Sequence, residues 1–192
     1  MKAFNVLIVG VGGQGTLLTS RIIGKTALNN GLDVKMSEVH GMAQRGGSVV
    51  TFVRFGDYVK EPVVEIGEAD VIISFEQLEA LRYAHYLKKD GVLIVNNCRI
   101  KPMSVLTGAS EYPNDVLSTL KQEHKVCVID ALEVAKTLNN PKVVNTVVLG
   151  FASKHFSFDK QSWIDVIKET VPQKTIELNI QAFNAGYDIT ND

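Results

Sequence analysis

Phe4-Asn5-Val6-Leu7-Ile8-Val9-Gly10-Val11-Gly12-Gly13-Gln14-Gly15 opens as a short apolar run and breaks into glycines. The run from Phe4 to Val9, closed by Gly10, reads as a strand buried on both faces of a parallel sheet. From Gly15 onward Leu17, Leu18, Ile22, Ile23, Ala27 and Leu28 recur at helical steps, until Asn29-Asn30-Gly31 supplies a stop signal. Strand, tight turn and helix are the context in which a G-x-G-x-x-G turn binds a phosphate. On this reading Gly10 permits the turn, Gly12 lets a phosphate approach the backbone and Gly15 allows close packing of the helix. Gly13 and Gln14 complete the loop, and the free helix N–H groups face the anion. An adenine-nucleotide phosphate is the expected guest. The alternative is that these glycines serve only a cramped junction or a close subunit contact.

Working outward, Asp33 to Glu38 and Ser48 to Phe55 read as second and third strands, the latter β-branched and aromatic. Val71 to Phe75 is a buried strand, Glu76 to Leu87 a helix and Val92 to Val95 a further strand. Pro102, Gly108 and Pro113 make residues 100–114 an excursion from the sheet, and a helix over 115–123 and a strand over 126–129 follow. This alternation predicts an α/β, Rossmann-like three-layer domain with a mainly parallel sheet and a helical C-terminal part. In that part Ile176, Ile180, Phe183 and Tyr187 form one apolar stripe, with Pro172 at its first turn and Gly186 near its end. No repeat or composition break divides the chain, so 1–192 reads as a single domain.

With 192 residues, 45% of them hydrophobic, the chain is long enough to bury a core without a disulfide or metal staple. Twenty Lys and Arg against 21 Asp and Glu give a net charge of -1, which argues against a nucleic-acid surface or a polybasic membrane patch. Cys98 and Cys127 are too few for an iron–sulfur cluster or a structural zinc site and read as core fillers, so no intrinsic metal is expected. No uncharged stretch approaches the ~18 residues of a membrane span, and no signal-peptide h-region is present, which predicts a cytoplasmic protein.

The remaining candidates cluster after the strands. Glu38 is the acid placed to bind a ribose hydroxyl, since Asp33 comes at the start of its strand. The segment His40-Gly41-Met42-Ala43-Gln44-Arg45-Gly46-Gly47-Ser48 follows as a shaped loop. Within it, Arg45 beside Gly46 and Gly47 offers a five-donor fork suited to phosphate or carboxylate. His40 reads as a hydrogen-bonding group, because no nucleophile or carboxylate stands at a catalytic spacing from it. His85, His124 and His155 are scattered, and no catalytic residue is assigned. Ser74-Phe75-Glu76 and Asn96-Asn97, just past buried strands, suit ligand contact and helix capping or turn formation equally. Asn145, opening an apolar helix, reads as a cap or a polar contact.

Together, Gly10 to Gly15, the His40 to Gly47 loop, Asn145 to Gly150 and Glu177 to Phe183 resemble the gamma-type subunits of 2-oxoacid:ferredoxin oxidoreductases over nearly the whole chain. The loop version Val39 to Gly47 looks most like the indolepyruvate ferredoxin oxidoreductase beta subunit. The resemblance implies a larger partner subunit carrying thiamine diphosphate and iron–sulfur clusters of the 4Fe–4S type, with ferredoxin as electron acceptor. The assembly would convert an aryl pyruvate and coenzyme A to the acyl-CoA and carbon dioxide, and this chain would help to bind coenzyme A and be inactive alone. A homodimer contact is equally allowed. The alternatives are the gamma subunit of a pyruvate or 2-oxoglutarate enzyme, a small NAD(P)-binding Rossmann oxidoreductase, and a purely structural assembly subunit.

Overall fold

A computed structural model describes residues 2–41 and 46–190. β1 (Phe4–Val11) leads into α1 (Thr16–Asn29), and β2 (Asp33–His40) and β3 (Ser48–Gly56) form a hairpin. β4 (Ala69–Ser74), α2 (Gln77–Tyr83), β5 (Leu87–Asn96), α3 (Met103–Leu106), α4 (Val116–Glu123) and β6 (Lys125–Ile129) complete the sheet. α5 (Ala131–Thr137), α6 (Val144–Ser153), α7 (Lys160–Thr170) and α8 (Ile176–Tyr187) make the helical C-terminal part.

The six strands lie in the order β2-β3-β1-β4-β5-β6. β1, β4, β5 and β6 pair in parallel, whereas β3 runs antiparallel to both of its neighbours, β1 and β2. The sheet is therefore mainly parallel, with one reversed strand. The cause is the length of the 41–47 connection, too short for the crossover that parallel neighbours require. Its consequence is that β2 is an edge strand running in the same direction as β1, so both strands end at one rim.

Strand alternation builds the three layers. Val6, Ile8, Val71, Ile73 and Ile94 point to the face covered by α1 and α5 to α8, while Leu7, Val9, Ile72, Leu93 and Val95 point to the face covered by α2 and α4. These side chains are fully or almost fully buried, each stabilising the fold by about 1.5–3 kcal/mol. Trp163 is fully buried among Phe156, Phe158 and Phe183, the ring contacts that close the C-terminal layer.

Three local expectations change. The helix expected over 76–87 is α2 plus a short 3-10 turn at Ala84–Tyr86, because Leu87 is buried and pairs with Ala69 to begin β5. Gly10 does not make the turn: it is part of β1, paired with Val49. The inward face of α8 is Asn179, Ala182, Phe183 and Gly186, whereas Ile176, Ile180 and Tyr187 are half-buried at its margins. The physical reason is a close crossing with α6, where a Cβ on Gly150 would stand 2.0 Å from the Phe183 carbonyl oxygen and one on Gly186 would stand 2.0 Å from that of Val147. The smallest residues set that face, and the larger apolar ones flank it.

Because each of these glycines faces rigid backbone, Gly186→Ala should destabilise the fold by about 2–3 kcal/mol and lower the thermal midpoint by roughly 5–10 °C. Circular dichroism melts check this; a midpoint within a degree of the parent would show that the two helices are not so closely opposed.

Candidate functional site

The turn after β1 takes its shape from Gly13 and Gly15, whose φ angles are +100° and +87°, a region that costs other L-residues about 1–2 kcal/mol. Gly15 is the N-cap of α1 and carries no side-chain cap; Thr19 N–H donates to its carbonyl at 3.1 Å. The N–H groups of Thr16, Leu17 and Leu18 precede any intrahelical bond and stand at the positive end of the helix dipole. A Cβ on Gly13 would meet nothing within 4 Å, so the turn's outer side is open.

The second glycine loop is joined to the first. Gly12 N–H donates to the Gly47 carbonyl at 2.8 Å, and Gly46 N–H donates to the Gly12 carbonyl at 3.4 Å. These bonds carry the β1–β3 ladder one step past the Val11 and Ser48 pair. The Gly12 amide, expected to face a phosphate, is therefore committed to the hairpin, and the donors left for an anion belong to the start of α1.

Gly12, Gly13, Gly15 and Thr16 from the turn, with Glu38, His40 and Val49 from the hairpin, line an open recess of about 400 Å³. Glu38 is exposed and accepts a 3.3 Å hydrogen bond from Thr51 Oγ1. His40 is exposed, with Nδ1 at 3.2 Å from the Gly41 carbonyl. Arg45, with Met42, Ala43 and Gln44, lies outside the described residues. Glu38, His40 and the two glycine loops are thus brought to one rim.

Gln14, Ser74 and Asn96 are turned inward. Gln14 Oε1 accepts from Val11 N–H at 2.7 Å, and its Nε2 donates to the Phe75 carbonyl at 3.0 Å. Asn96 Nδ2 donates to the same carbonyl at 3.2 Å, while its Oδ1 accepts from Ala131 N–H at 3.2 Å. Ser74, fully buried, donates to the Glu76 carbonyl at 2.6 Å. These three side chains splice the carboxyl ends of β1, β4 and β5, the turn-forming alternative for Ser74 and Asn96. Gly10 supports the splice, since a Cβ there would stand 2.9 Å from Gln14 Oε1 and 3.1 Å from the Phe75 Cβ.

Of the two buried acids beneath the rim, Glu79 carries no signal in the sequence and Glu76 takes the capping alternative. Glu79 accepts from Ser48 Oγ at 2.5 Å and from Arg82 at 2.7 Å, fixing the return strand of the hairpin to α2. Burial pushes its carboxyl above the ordinary glutamate range, against the lowering effect of Ser48 and Arg82. Glu76 caps α2 through the Glu79 N–H at 2.9 Å and holds the 98–114 excursion through Ile100 N–H at 3.0 Å and the Tyr112 hydroxyl at 2.5 Å. Burial and that bond to Glu76 raise the Tyr112 phenol well above its usual range. Only the S/T/D/E-type capping position of Glu76 was visible in sequence; its partners are 24 and 36 residues away.

Among the described residues no three His, Cys, Asp or Glu side chains converge on a metal position, and no helix is long and apolar enough to cross a membrane. An iron–sulfur cluster needs about four thiolates, and the chain's two cysteines cannot supply them.

Residues 5–189 match the pyruvate ferredoxin/flavodoxin oxidoreductase family. The chain belongs to this family. It is 42% identical over 192 residues to the indolepyruvate oxidoreductase subunit IorB of Thermococcus kodakarensis, covering 97% of this chain and 95% of the relative. The gamma subunit of a keto/oxoacid ferredoxin oxidoreductase from Geobacter sulfurreducens shares the fold at a TM-score of 0.72 and 23% identity, with 96% of each chain covered. A 2-oxoglutarate:ferredoxin oxidoreductase from Magnetococcus marinus, solved with 2-oxoglutarate, coenzyme A and succinyl-CoA, matches all of this chain with 32% of its own, at a TM-score of 0.74 and 17% identity. The same fold thus occurs both as a separate chain and as one segment of a longer one. Family membership replaces the NAD(P)-dependent reductase reading.

Glu79 makes the rim sensitive to pH in a defined direction. An acid with a raised folded-state pKa binds its proton more tightly when folded, so its contribution is favourable below the ordinary glutamate range and is lost as pH rises through the folded value. The difference in unfolding free energy between the parent and Glu79→Gln should fall from pH 4 upward and then level off; a difference independent of pH would contradict the burial of this carboxyl.

Proposed function

We propose that residues 1–192 act as one gamma-type unit, the small subunit of an indolepyruvate-type ferredoxin oxidoreductase, and that the rim of β1 and the β2–β3 hairpin holds the phosphate end of coenzyme A. The observation that carries this reading is the uncapped start of α1, with two left-handed glycines below it and open space beside Gly13. Such a helix start binds phosphoryl oxygens through N–H groups and dipole. Similarity to an indolepyruvate oxidoreductase subunit supports the aryl 2-oxoacid, and the structural neighbour solved with coenzyme A supports the ligand class.

In this reading Arg45 adds a charged fork to the phosphate, while Glu38 and His40 at the hairpin side meet the hydroxyl and amide groups of the nucleotide. The work of this chain is positioning, which keeps the coenzyme A thiol at high effective concentration near the reacting centre. Thiamine diphosphate and 4Fe–4S clusters on a larger partner subunit would supply the decarboxylation chemistry and pass electrons to ferredoxin. Both subunits would reside in the cytoplasm, and the chain alone would be inactive.

A second reading, assembly without ligand contact, is favoured by Leu17, 42% exposed in the lining of the recess and suited to a partner surface. The two separate in the native complex. Loss of one charged hydrogen bond corresponds to about a 10- to 100-fold effect, so Arg45→Ala should raise KM for coenzyme A by at least about tenfold while leaving KM for the aryl pyruvate and the elution volume of the complex unchanged. An unaltered coenzyme A KM would overturn the binding role, and dissociation of the complex would establish the assembly role instead.

A further inference from the structure

We infer that Asn145 is the side-chain donor that completes the anion cradle at the start of α1, its Nδ2–H groups reaching an oxygen of the bound phosphoryl group. The inference rests on the coenzyme A reading for its physiological ligand, although the site itself is defined by oxyanion chemistry.

Asn145 is not the cap suggested by its place in the sequence: Val143 is the N-cap of α6, and Asn145 is the second residue of that helix. It is 8% exposed, yet its carboxamide has no hydrogen-bond partner among the described residues. Its neighbours behave otherwise. Thr146 Oγ1 donates to Asn179 Oδ1 at 2.7 Å, and Asn179 Nδ2 donates to the Thr175 carbonyl at 2.9 Å. Asn145 Nδ2 and Oδ1 are not among the fully enclosed unpartnered atoms, which are His155 Nε2, Trp163 Nε1 and Asn184 Oδ1 among the described residues, so the small open part of Asn145 presents an amide that an outside acceptor can reach.

Its position points to that ligand. Asn145 Nδ2 lies 2.8 Å from where a Cβ on Gly15 would stand. Gly15 lines the recess and immediately precedes the uncapped N–H groups of α1. The missing side chain at Gly15 therefore does more than satisfy a left-handed φ, because it admits the Asn145 amide to the foot of α1. The starts of α1 and α6 meet at this pair. α6 is in turn locked against α8 by the Gly150 and Gly186 crossing, so the amide is held by a rigid element rather than by a loop. A neutral carboxamide adds donors to an oxyanion without adding charge, complementing the backbone N–H groups and the dipole.

The test titrates inorganic pyrophosphate and coenzyme A into the full chain, free and in its native complex, using the parent, Asn145→Ala and Asn145→Asp. The Asn145 side-chain amide is followed by NMR in the parent. Pyrophosphate should bind about tenfold more weakly to Asn145→Ala and weaker still to Asn145→Asp, which replaces a donor by a like-charged acceptor. The Asn145 amide resonance should shift on saturation, and this measurement decides the matter should the variants unfold. Equal pyrophosphate affinity in the parent and Asn145→Asp, an unmoved resonance at saturation, or no pyrophosphate binding in either form overturns the assignment. Coenzyme A binding that leaves the Asn145 resonance unmoved retains the coenzyme reading and removes this residue. Pyrophosphate binding that depends on Asn145, without preference for coenzyme A, retains the residue and removes the coenzyme reading.

Discussion

Two backbone hydrogen bonds between Gly12 and the Gly46-Gly47 pair hold the rim of this molecule together. They exist because β3 runs antiparallel between β1 and β2, so the loop after β1 and the loop after β2 meet at one end of the sheet. Without that inserted strand the glycine turn would open beside a crossover helix. With it, the turn opens beside a hairpin carrying Glu38 and His40. The Glu79 bond to Ser48 anchors the same hairpin from below, so a buried acid on α2 helps to place a surface recess.

The division of labour within the turn follows from this pairing. Gly10 and Gln14 build the floor, Gly12 clamps the hairpin, Gly13 leaves the entrance open, and Gly15 admits the neighbouring helix. Among the described residues of the turn, the backbone donors left for an outside anion are those at the start of α1. A turn built this way offers orientation and electrostatics to a ligand rather than reacting groups.

Elements with a strong local signal were legible in the sequence. The apolar runs of β1, β4 and β5 and the period of α1 appear where expected, as does the glycine turn between strand and helix. What could not be read was decided by long-range contact. The antiparallel insertion of β3 depends on pairing partners, and the inward face of α8 is set by a backbone approach to α6 that favours Gly186 over Ile180. Asn96 and Gln14 look like ligand residues because they follow strands, but both donate to one carbonyl, that of Phe75. Asn145 illustrates the reverse: an unremarkable helix-start asparagine in sequence gains meaning only when it is found unpaired against Gly15.

The central claim is that the amides at the start of α1 hold an anionic group of coenzyme A. Hydrogen–deuterium exchange on the native complex addresses it most directly. Coenzyme A should slow exchange over residues 13–18 and over the 41–47 hairpin loop, with pantetheine, which lacks the phosphates, leaving both unchanged. Protection confined to other segments, or equal protection by pantetheine, would contradict the account.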